Sequence, residues 1–456
     1  MITHVRRNRG RFAALTVLLA ASSAAAQEAP VLTLQEAVRQ GVAASPAIQE
    51  ARAQHRTSGA TRWEGWGRLL PSLQLKAGVI QVGTLQRTAS DPITGGIISL
   101  PDSLIALRNS YGTSAALTAN WELVNPATML QIRAANAEAS AADQTLAGAR
   151  ARVAAEVTLA YLDALEAQAL LELRRAEKDR AAELLRIAEG RFAVGGVPEL
   201  DVLQARLAVG DAELALMEAQ TAADAGRLAL REHLGPGADV PAALAEPVLP
   251  DPASLPSEEE LRRRVVDESS ELAALRATRS AAGLARSAER MRLIPTVSLW
   301  AQWERSEFGD TRQAVTFQPR NELGIYGLNF SWNLFDQPGA RMAARQRTGA
   351  AVQQADARLA VRRAALAREV EVAAGTLRRM ALLQERAAAN LVLAGRQREH
   401  AAERYRVGVA PIVERMQAEG LAREAERQAI AARFAPLRAL AQLQRVSGAP
   451  VLPFTF

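Results

Sequence analysis

The 456-residue chain has no cysteine, which excludes disulfide bridges, thiolate metal sites, cysteine nucleophiles and a lipid anchor on an N-terminal cysteine. Aromatic residues make up only 4% of the chain, and its only lysines are Lys76 and Lys178. No segment reaches about 18 consecutive apolar residues, so we expect no transmembrane helix. The four histidines are scattered, and the sequence has neither a phosphate-binding glycine loop nor a nucleophile elbow. The sequence therefore predicts no enzyme, no cofactor and no metal site.

Residues 1–26 have the features of a cleavable signal peptide. A basic segment at 6–11 precedes an apolar stretch at 12–21 and three alanines at 24–26. We expect export with cleavage before Gln27, by either the Sec or the twin-arginine route. Cleavage removes four arginines and lowers the formal charge from +6 to +2. The remaining arginines alternate with glutamates along helical faces, a pattern typical of a solvated surface that does not favour nucleic-acid binding.

Four segments alternate apolar and polar side chains, which is the period of a β-strand with one apolar face. They lie at 70–82, 113–124, 294–304 and 322–335. A few strands with an unpartnered apolar face are not stable in water, so the segments indicate a strand set that faces lipid. The apolar positions that we assign to the lipid-facing side are Leu117, Trp121, Leu299, Leu328, Phe330 and Trp332.

Most of the remaining chain is helical in pattern. Residues 127–190 contain no proline and one interior glycine, Gly148, which predicts one helix about 96 Å long. A second long pattern covers 339–405. Helices of such length are typical of coiled coils.

Shorter helical patterns cover 34–66, 198–234, 258–290 and 411–447. The pattern at 34–66 is interrupted at Ser45-Pro46. The spacing of Thr33 to Glu36 and of Ser257 to Glu260 predicts a capping box at the start of 34–66 and of 258–290.

Each long helical pattern ends at a copy of the same short segment. Residues 191–198 read RFAVGGVP and residues 404–411 read RYRVGVAP, at an offset of 213. Glycine can adopt the left-handed conformation that closes a helix, and proline is tolerated in the first turn of the next helix. The two copies therefore predict the tips of two helical hairpins.

The order of these elements predicts two structural repeats, at 27–234 and 258–448. A Pro-rich linker at 235–257 joins them, and 449–456 form a C-terminal tail. In each repeat, the helix before the strands and the helix after the tip together match the long helix in length. We expect these two helices to stack end to end beside the long one, with the linker at mid-height, in a column that carries tips at one end and strands at the other.

Four strands cannot close a transmembrane β-barrel, since known barrels start at eight strands, so we expect a barrel shared between chains. The chain resembles the TolC family of outer-membrane efflux proteins across residues 31–448. The features that carry the resemblance are Leu32–Ala37 with Ser45-Pro46, the strand entries ending in Pro71 and Pro295, Trp-Asn-Leu-Phe-Asp at 332–336, and the duplicated tips. The resemblance implies a mainly α-helical homotrimer. Its 12-stranded β-barrel would take four strands from each chain, above a helical α-barrel tunnel across the periplasm.

The resemblance also implies a function, partners and sites. The function is an export channel in the outer membrane of a Gram-negative cell, in contact with lipid, which passes small molecules or proteins from a periplasmic adaptor and an inner-membrane RND or ABC pump. A tunnel constriction is implied at Gln397 and His400, which lack the acidic charge that family members often carry there. Adaptor docking is implied for the tip residues Val194, Gly195, Gly196, Val407, Gly408 and Val409.

An alternative interpretation is a periplasmic coiled-coil protein, structural or adaptor-like, that forms no pore. It accounts for the long helices but not for the four amphipathic strands. Within the channel interpretation, drugs, metal ions and proteins remain equally open as the exported substrate, because a passive tunnel leaves the choice of cargo to its pump.

Overall fold

The computed structural model describes residues 31–86, 88–91, 93–99, 106–241, 243–247, 257–309, 321–333 and 337–449. The signal peptide, most of the second half of the linker, the 334–336 part of the Trp-Asn-Leu-Phe-Asp motif and nearly all of the C-terminal tail lie outside these ranges. The described helices are α1 (Leu34–Ala44), α2 (Pro46–Gly67), α3 (Pro126–Ala193), α4 (Glu199–Leu234), α5 (Glu258–Glu268), α6 (Ser270–Met291), α7 (Pro338–Arg406) and α8 (Ile412–Ser447). The described strands are β1 (Ser72–Gln86), β2 (Thr88–Ser90), β3 (Ile97–Ser99), β4 (Ala106–Val124), β5 (Thr296–Gly309) and β6 (Asn321–Ser331).

Two helices of nearly equal length, α3 with 68 residues and α7 with 69, form the long axis of the molecule. Each starts with a proline in its first turn, where the missing N–H would have no partner within the helix. The Asn125 side chain also accepts a hydrogen bond from the Thr128 N–H and caps α3. In the described chain, no helix is both long and apolar enough to cross a lipid bilayer.

The predicted interruption at Ser45-Pro46 is confirmed, because it separates α1 from α2. The single helix that we expected over 258–290 is wrong, since Ser269 divides it into α5 and α6. The Ser269 hydroxyl accepts from the Leu272 N–H and donates to the Ser447 carbonyl, so its side chain starts a new helix and also joins α8. The sequence alone shows only a serine in a helical pattern.

Three smaller expectations also need correction. The strands do not have the predicted bounds: β1, β4 and β5 extend further, to Gln86, back to Ala106 and to Gly309, and the last strand ends at Ser331, not at 335. Pro198 and Pro411 precede the first turns of α4 and α8 as N-caps instead of lying within them. The capping box at Ser257 is formed, but at Thr33 only half of it is, because the Glu36 carboxylate turns to Arg39 and Gln40.

The four long strands form one antiparallel sheet in the order β1-β4-β5-β6, and the short β2 and β3 pair separately. Leu75 lies opposite Leu117, Leu117 opposite Trp303, and Leu299 opposite both Trp121 and Leu328. Residues directly opposite each other in antiparallel strands share a face, so these leucines and tryptophans lie on one side of the sheet, which we call its apolar face. β1 and β6 are its two edges.

The hydrophobic core lies at mid-height, where the shorter helices meet α3 and α7. The fully buried Tyr161 of α3 places its hydroxyl 2.8 Å from the Leu32 carbonyl oxygen and 2.5 Å from that of Ala245. Leu32 and Leu244 also form a parallel bridge. Tyr161 thus fixes the first described residues and the middle of the linker against the long helix.

The end of α8 meets the break between α5 and α6 in a crowded joint. Gly448 closes α8 with φ +63°, and its carbonyl accepts a hydrogen bond of 2.9 Å from the Ser270 hydroxyl. A methyl group on Gly148 of α3 would lie 2.7 Å from that hydroxyl oxygen. Gly148 is therefore a packing requirement, since any side chain would push Ser270 off its acceptor.

We expect Gly148→Ala to lower the stability of the mature protein by about 1–3 kcal/mol through overpacking at this joint. Gly283→Ala in α6 is the matched control, because no described atom lies within 4 Å of a methyl group there. That change should stabilise the helix by up to about 1 kcal/mol. Thermal unfolding in detergent measures both, and equal melting temperatures for the two variants would contradict the packing argument.

Candidate functional site: the hairpin tips and the exposed sheet face

The two tips have the same backbone conformation. Gly195 and Gly408 adopt left-handed φ angles of +72° and +84°, as the glycine pattern predicts. The Gly196 N–H donates to the Arg191 carbonyl at 2.8 Å, and the Val409 N–H donates to the Arg404 carbonyl at 2.9 Å. Residues that carry a side chain rarely adopt this left-handed backbone conformation, so glycine is needed for the tight reversal.

The tips expose apolar side chains at the end of the column. Val194 is 82% exposed, and Val407 and Val409 are exposed as well. Exposed valines around a glycine turn offer a small apolar surface on which another helix can approach the backbone closely.

A small core fixes the two tips to each other. Its centre is Tyr405, which is only 1% exposed and lies between two guanidinium groups, that of Arg191 at 5.0 Å and that of Arg415 at 5.5 Å from the ring centroid. Arg191 Nη1 also donates to the Tyr405 carbonyl at 2.6 Å. Burial raises the pKa of the Tyr405 phenol, the Asp201 carboxylate raises it further, and both guanidinium groups oppose the shift. The ring therefore stays neutral and serves as packing between the hairpins.

Ion pairs join the two hairpins above this core. Arg180 of α3 contacts Glu419 and Glu426 of α8, each at 3.0 Å. Glu426 also pairs with Arg398 of α7 at 2.6 Å. The four side chains are mostly buried, and such a network fixes helix position more than it adds stability.

The predicted constriction residues Gln397 and His400 are exposed on α7, while Arg398 between them is turned toward α8. Nearby acidic charge is partly compensated, because Arg406 Nη2 lies 2.6 Å from Glu403 Oε1. Hydrogen bonds from Arg406 hold the pKa of Glu403 below its usual range. No described contact joins Gln397 or His400 to another element, and one chain cannot form a constriction.

At the opposite end, the residues that we assigned to lipid lie on the common apolar face of the sheet or just after it. Trp121, Leu328, Phe330 and Trp332 are exposed, whereas Leu117 and Leu299 are half-buried by their neighbours. An exposed apolar patch of this size marks an interaction surface.

The indole groups of two tryptophans close the junctions between helices and strands in both repeats. Trp121 Nε1 donates to the Leu69 carbonyl at 2.9 Å, and Trp332 Nε1 donates to the Leu293 carbonyl at 3.0 Å. Each indole therefore has a satisfied polar end and an exposed apolar body, as is typical of tryptophan at a membrane interface.

The sequence patterns did not reveal two features of the structure. One is the contact between Arg191 and Tyr405 at the tips, and the other is the joint at Ser269 and Ser270 between α5, α6 and the end of α8. The repetition of an Arg-aromatic pair at both tips is the signal from which the first could have been found. Among the described residues, no group of three or more His, Asp or Glu side chains is placed to hold a metal ion.

The described chain combines two long helical hairpins, a sheet with one apolar face and paired glycine tips. A family model described as outer membrane efflux protein matches residues 38–236 and 261–449. The chain belongs to the outer membrane efflux protein family, whose members are transport components. No curated protein sequence matches it.

Solved structures of channels share the fold at low sequence identity. The Campylobacter jejuni CmeC outer membrane channel matches with a TM-score of 0.72 and 16% identity, over 93% of this chain and 87% of the other. The Vibrio cholerae outer membrane protein VceC matches with a TM-score of 0.72 and 17% identity, over 91% and 96%. The open state of the Neisseria gonorrhoeae MtrE outer membrane channel matches with a TM-score of 0.71 and 16% identity, over 93% and 90%.

Proposed function

We propose that three copies of this chain form one export conduit in the outer membrane of a Gram-negative bacterium. The observation that carries the proposal is the sheet, which has one apolar face and two edge strands, β1 and β6, with no partner strand in the described chain. Edge strands are templates for pairing with another chain, and only closure removes them in a membrane. Pairing β6 of one copy with β1 of the next closes a 12-stranded barrel from three copies.

The helices support the same assembly. α4 exposes large apolar side chains that recur with the spacing of one helical face, and α7 exposes Val361, Val372 and Leu393. A stripe of this kind indicates a coiled-coil partner that the single chain does not supply. The exposed apolar residues of α4 are Leu200, Leu203, Leu207, Leu214, Met217 and Leu228.

The tips are the proposed docking site for a periplasmic adaptor, which would connect the tunnel to an inner-membrane pump of the RND or ABC type. Exposed apolar side chains at Val194 and Val409, beside left-handed glycines, support close contact with a partner helix. The conduit is passive and carries out no catalysis, so the pump selects small molecules or proteins as cargo.

We place the narrowest part of the tunnel at Gln397 and His400, just above the second tip. Their exposure on α7 and the pairing of Glu403 with Arg406 support a constriction without strong preference for cations. The ratio of cation to anion permeability of the open channel measures this property.

The proposal is tested with the mature protein purified in detergent. Native mass spectrometry should give the mass of three chains, and insertion into planar bilayers should give discrete conductance steps. A monomer that stays soluble without detergent and gives no conductance would instead support the pore-free coiled-coil alternative.

A further inference from the structure

The internal repeat relates a contact seen within the chain to one that the single chain cannot make. Arg191 and Arg404 are equivalent at the offset of 213 residues, and so are Phe192 and Tyr405. Arg191 binds the Tyr405 carbonyl, so the equivalent contact joins Arg404 to the carbonyl of Phe192. Within one chain the structure shows no such bond between these two residues, and Arg404 lies 2.5 Å from Glu414 instead.

We propose that Arg404 of one copy binds the backbone carbonyl of Phe192 in the next copy and covers its ring, so that the contact between tips within a chain is repeated between chains. This inference rests on the proposed ring of three copies and names the residues that close the ring at its tips. Its partner is a second copy of this chain.

The surroundings of the two aromatic rings support the proposal. Tyr405 is 1% exposed, whereas Phe192 at the equivalent position is 46% exposed. Tyr405 packs in a small apolar cluster with Val202 and Ile412 and also has the Arg191 guanidinium over its ring, whereas no residue of the same chain stacks a guanidinium on Phe192 in the described structure. The exposed ring of Phe192 can therefore bind a guanidinium in the way that the ring of Tyr405 binds that of Arg191.

The space beside the tip glycines differs in the same way. A methyl group on Gly408 would lie 3.2 Å from Arg191 Nη2, but one on the equivalent Gly195 has no described atom within 4 Å. The open volume at Gly195 is therefore where the repeat places the Arg404 guanidinium of the neighbouring copy.

Arg404 is free to make this contact. Its side chain is 55% exposed, and only its Nη1 contacts Glu414. A guanidinium has five N–H donors, so Arg404 can keep Glu414 and still donate to a carbonyl. Asp201 occupies the position equivalent to Glu414 and has one methylene fewer, and Arg191 there reaches across to the other tip.

The helices agree with the direction of the contact. Within the chain the first long helix, α3, packs against α6 and α8 of the second repeat. In the internal repeat, α7 corresponds to α3, α2 to α6 and α4 to α8. The corresponding packing between copies places α7 of one copy against α2 and α4 of the next, where it covers the exposed apolar residues of α4. Such a head-to-tail contact forms a closed ring when its rotation closes.

The absence of cysteine allows a direct test with two matched cysteine pairs. In the first variant, Phe192→Cys is combined with Arg404→Cys, and in the second, Arg191→Cys is combined with Tyr405→Cys. Each full-length variant is purified in detergent, treated with a short bismaleimide and run on a denaturing gel. Native mass spectrometry of the untreated sample reports whether the three copies are assembled.

We expect the first pair to give covalent dimers and trimers for most of the protein, and the second pair to give only cross-linked monomers. Each single-cysteine variant should give neither product. The Arg404 proposal would be overturned if the variants formed trimers and the second pair reacted as expected, but the first pair linked only within a chain or not at all. That result would leave the proposed channel unaffected. If native mass spectrometry showed no trimer for the protein without substitutions, the proposed function itself would be refuted.

Discussion

Leu328→Arg is expected to remove the protein from the outer membrane. Leu328 is 69% exposed on the apolar face of the sheet, opposite Leu299. An arginine on the lipid side of a β-barrel costs about 2–4 kcal/mol near the bilayer midplane, and the proposed trimer would contain the substitution three times. Immunoblots of the outer-membrane fraction, run without heating, should show loss of the assembled band. Leu117→Arg on β4 should have the same effect.

Asn329→Arg is the matched control for this prediction. Asn329 is adjacent in the sequence, but its polar side chain points to the opposite face of the same strand. The control should assemble at the level of the unmodified protein. If both arginine variants assembled equally well, the apolar face would not be the lipid-facing side.

Replacing both tip glycines should stop export without preventing assembly. Valine at Gly195 and Gly408 must either adopt φ angles of +72° and +84° or deform the turn, at a cost of about 1–2 kcal/mol per position. The tips lie at the far end of the column from the sheet, so the deformation stays local. We therefore expect a normal trimer by native mass spectrometry and, in cells that depend on this channel, dye accumulation equal to that of a strain without it.

Gly190→Ala serves as the control for the tip variant. Gly190 lies in α3 one turn before the first tip, and no described atom lies within 4 Å of a methyl group there. Helix formation favours alanine, so efflux should be unchanged. Normal efflux by the double valine variant would exclude the tips as the docking site.

Periodicity determined most of what the sequence predicted. The change from a helical period to alternation near Pro71 and Pro295 located all four long strands, and the strand register then placed Leu117, Leu299 and Leu328 on one face. The glycines of the duplicated segment predicted the left-handed residues at both tips. These features are local, because hydrophobic spacing and glycine conformation act over a few residues.

Contacts between distant segments could not be predicted in the same way. The division at Ser269 depends on the Ser447 carbonyl, which lies 178 residues away in the sequence. Tyr405 is buried in a cluster that includes Leu184 and Val202 of the other hairpin, from which Arg191 also reaches its ring. The site assignments at Gln397, His400 and the tips stay predictions, because each depends on a neighbouring copy or on another protein.

The open edges of the sheet have a consequence for the life of a newly exported chain. Within the residues that the structure describes, a single copy has two strand edges without a partner strand and an apolar face, which are features that cause aggregation in water. In the proposed trimer, three such chains must meet before any of them is protected, so the rate of maturation would fall steeply as synthesis decreases. A bacterium that makes little of this protein would lose most of it to periplasmic chaperones and proteases before it reached the bilayer.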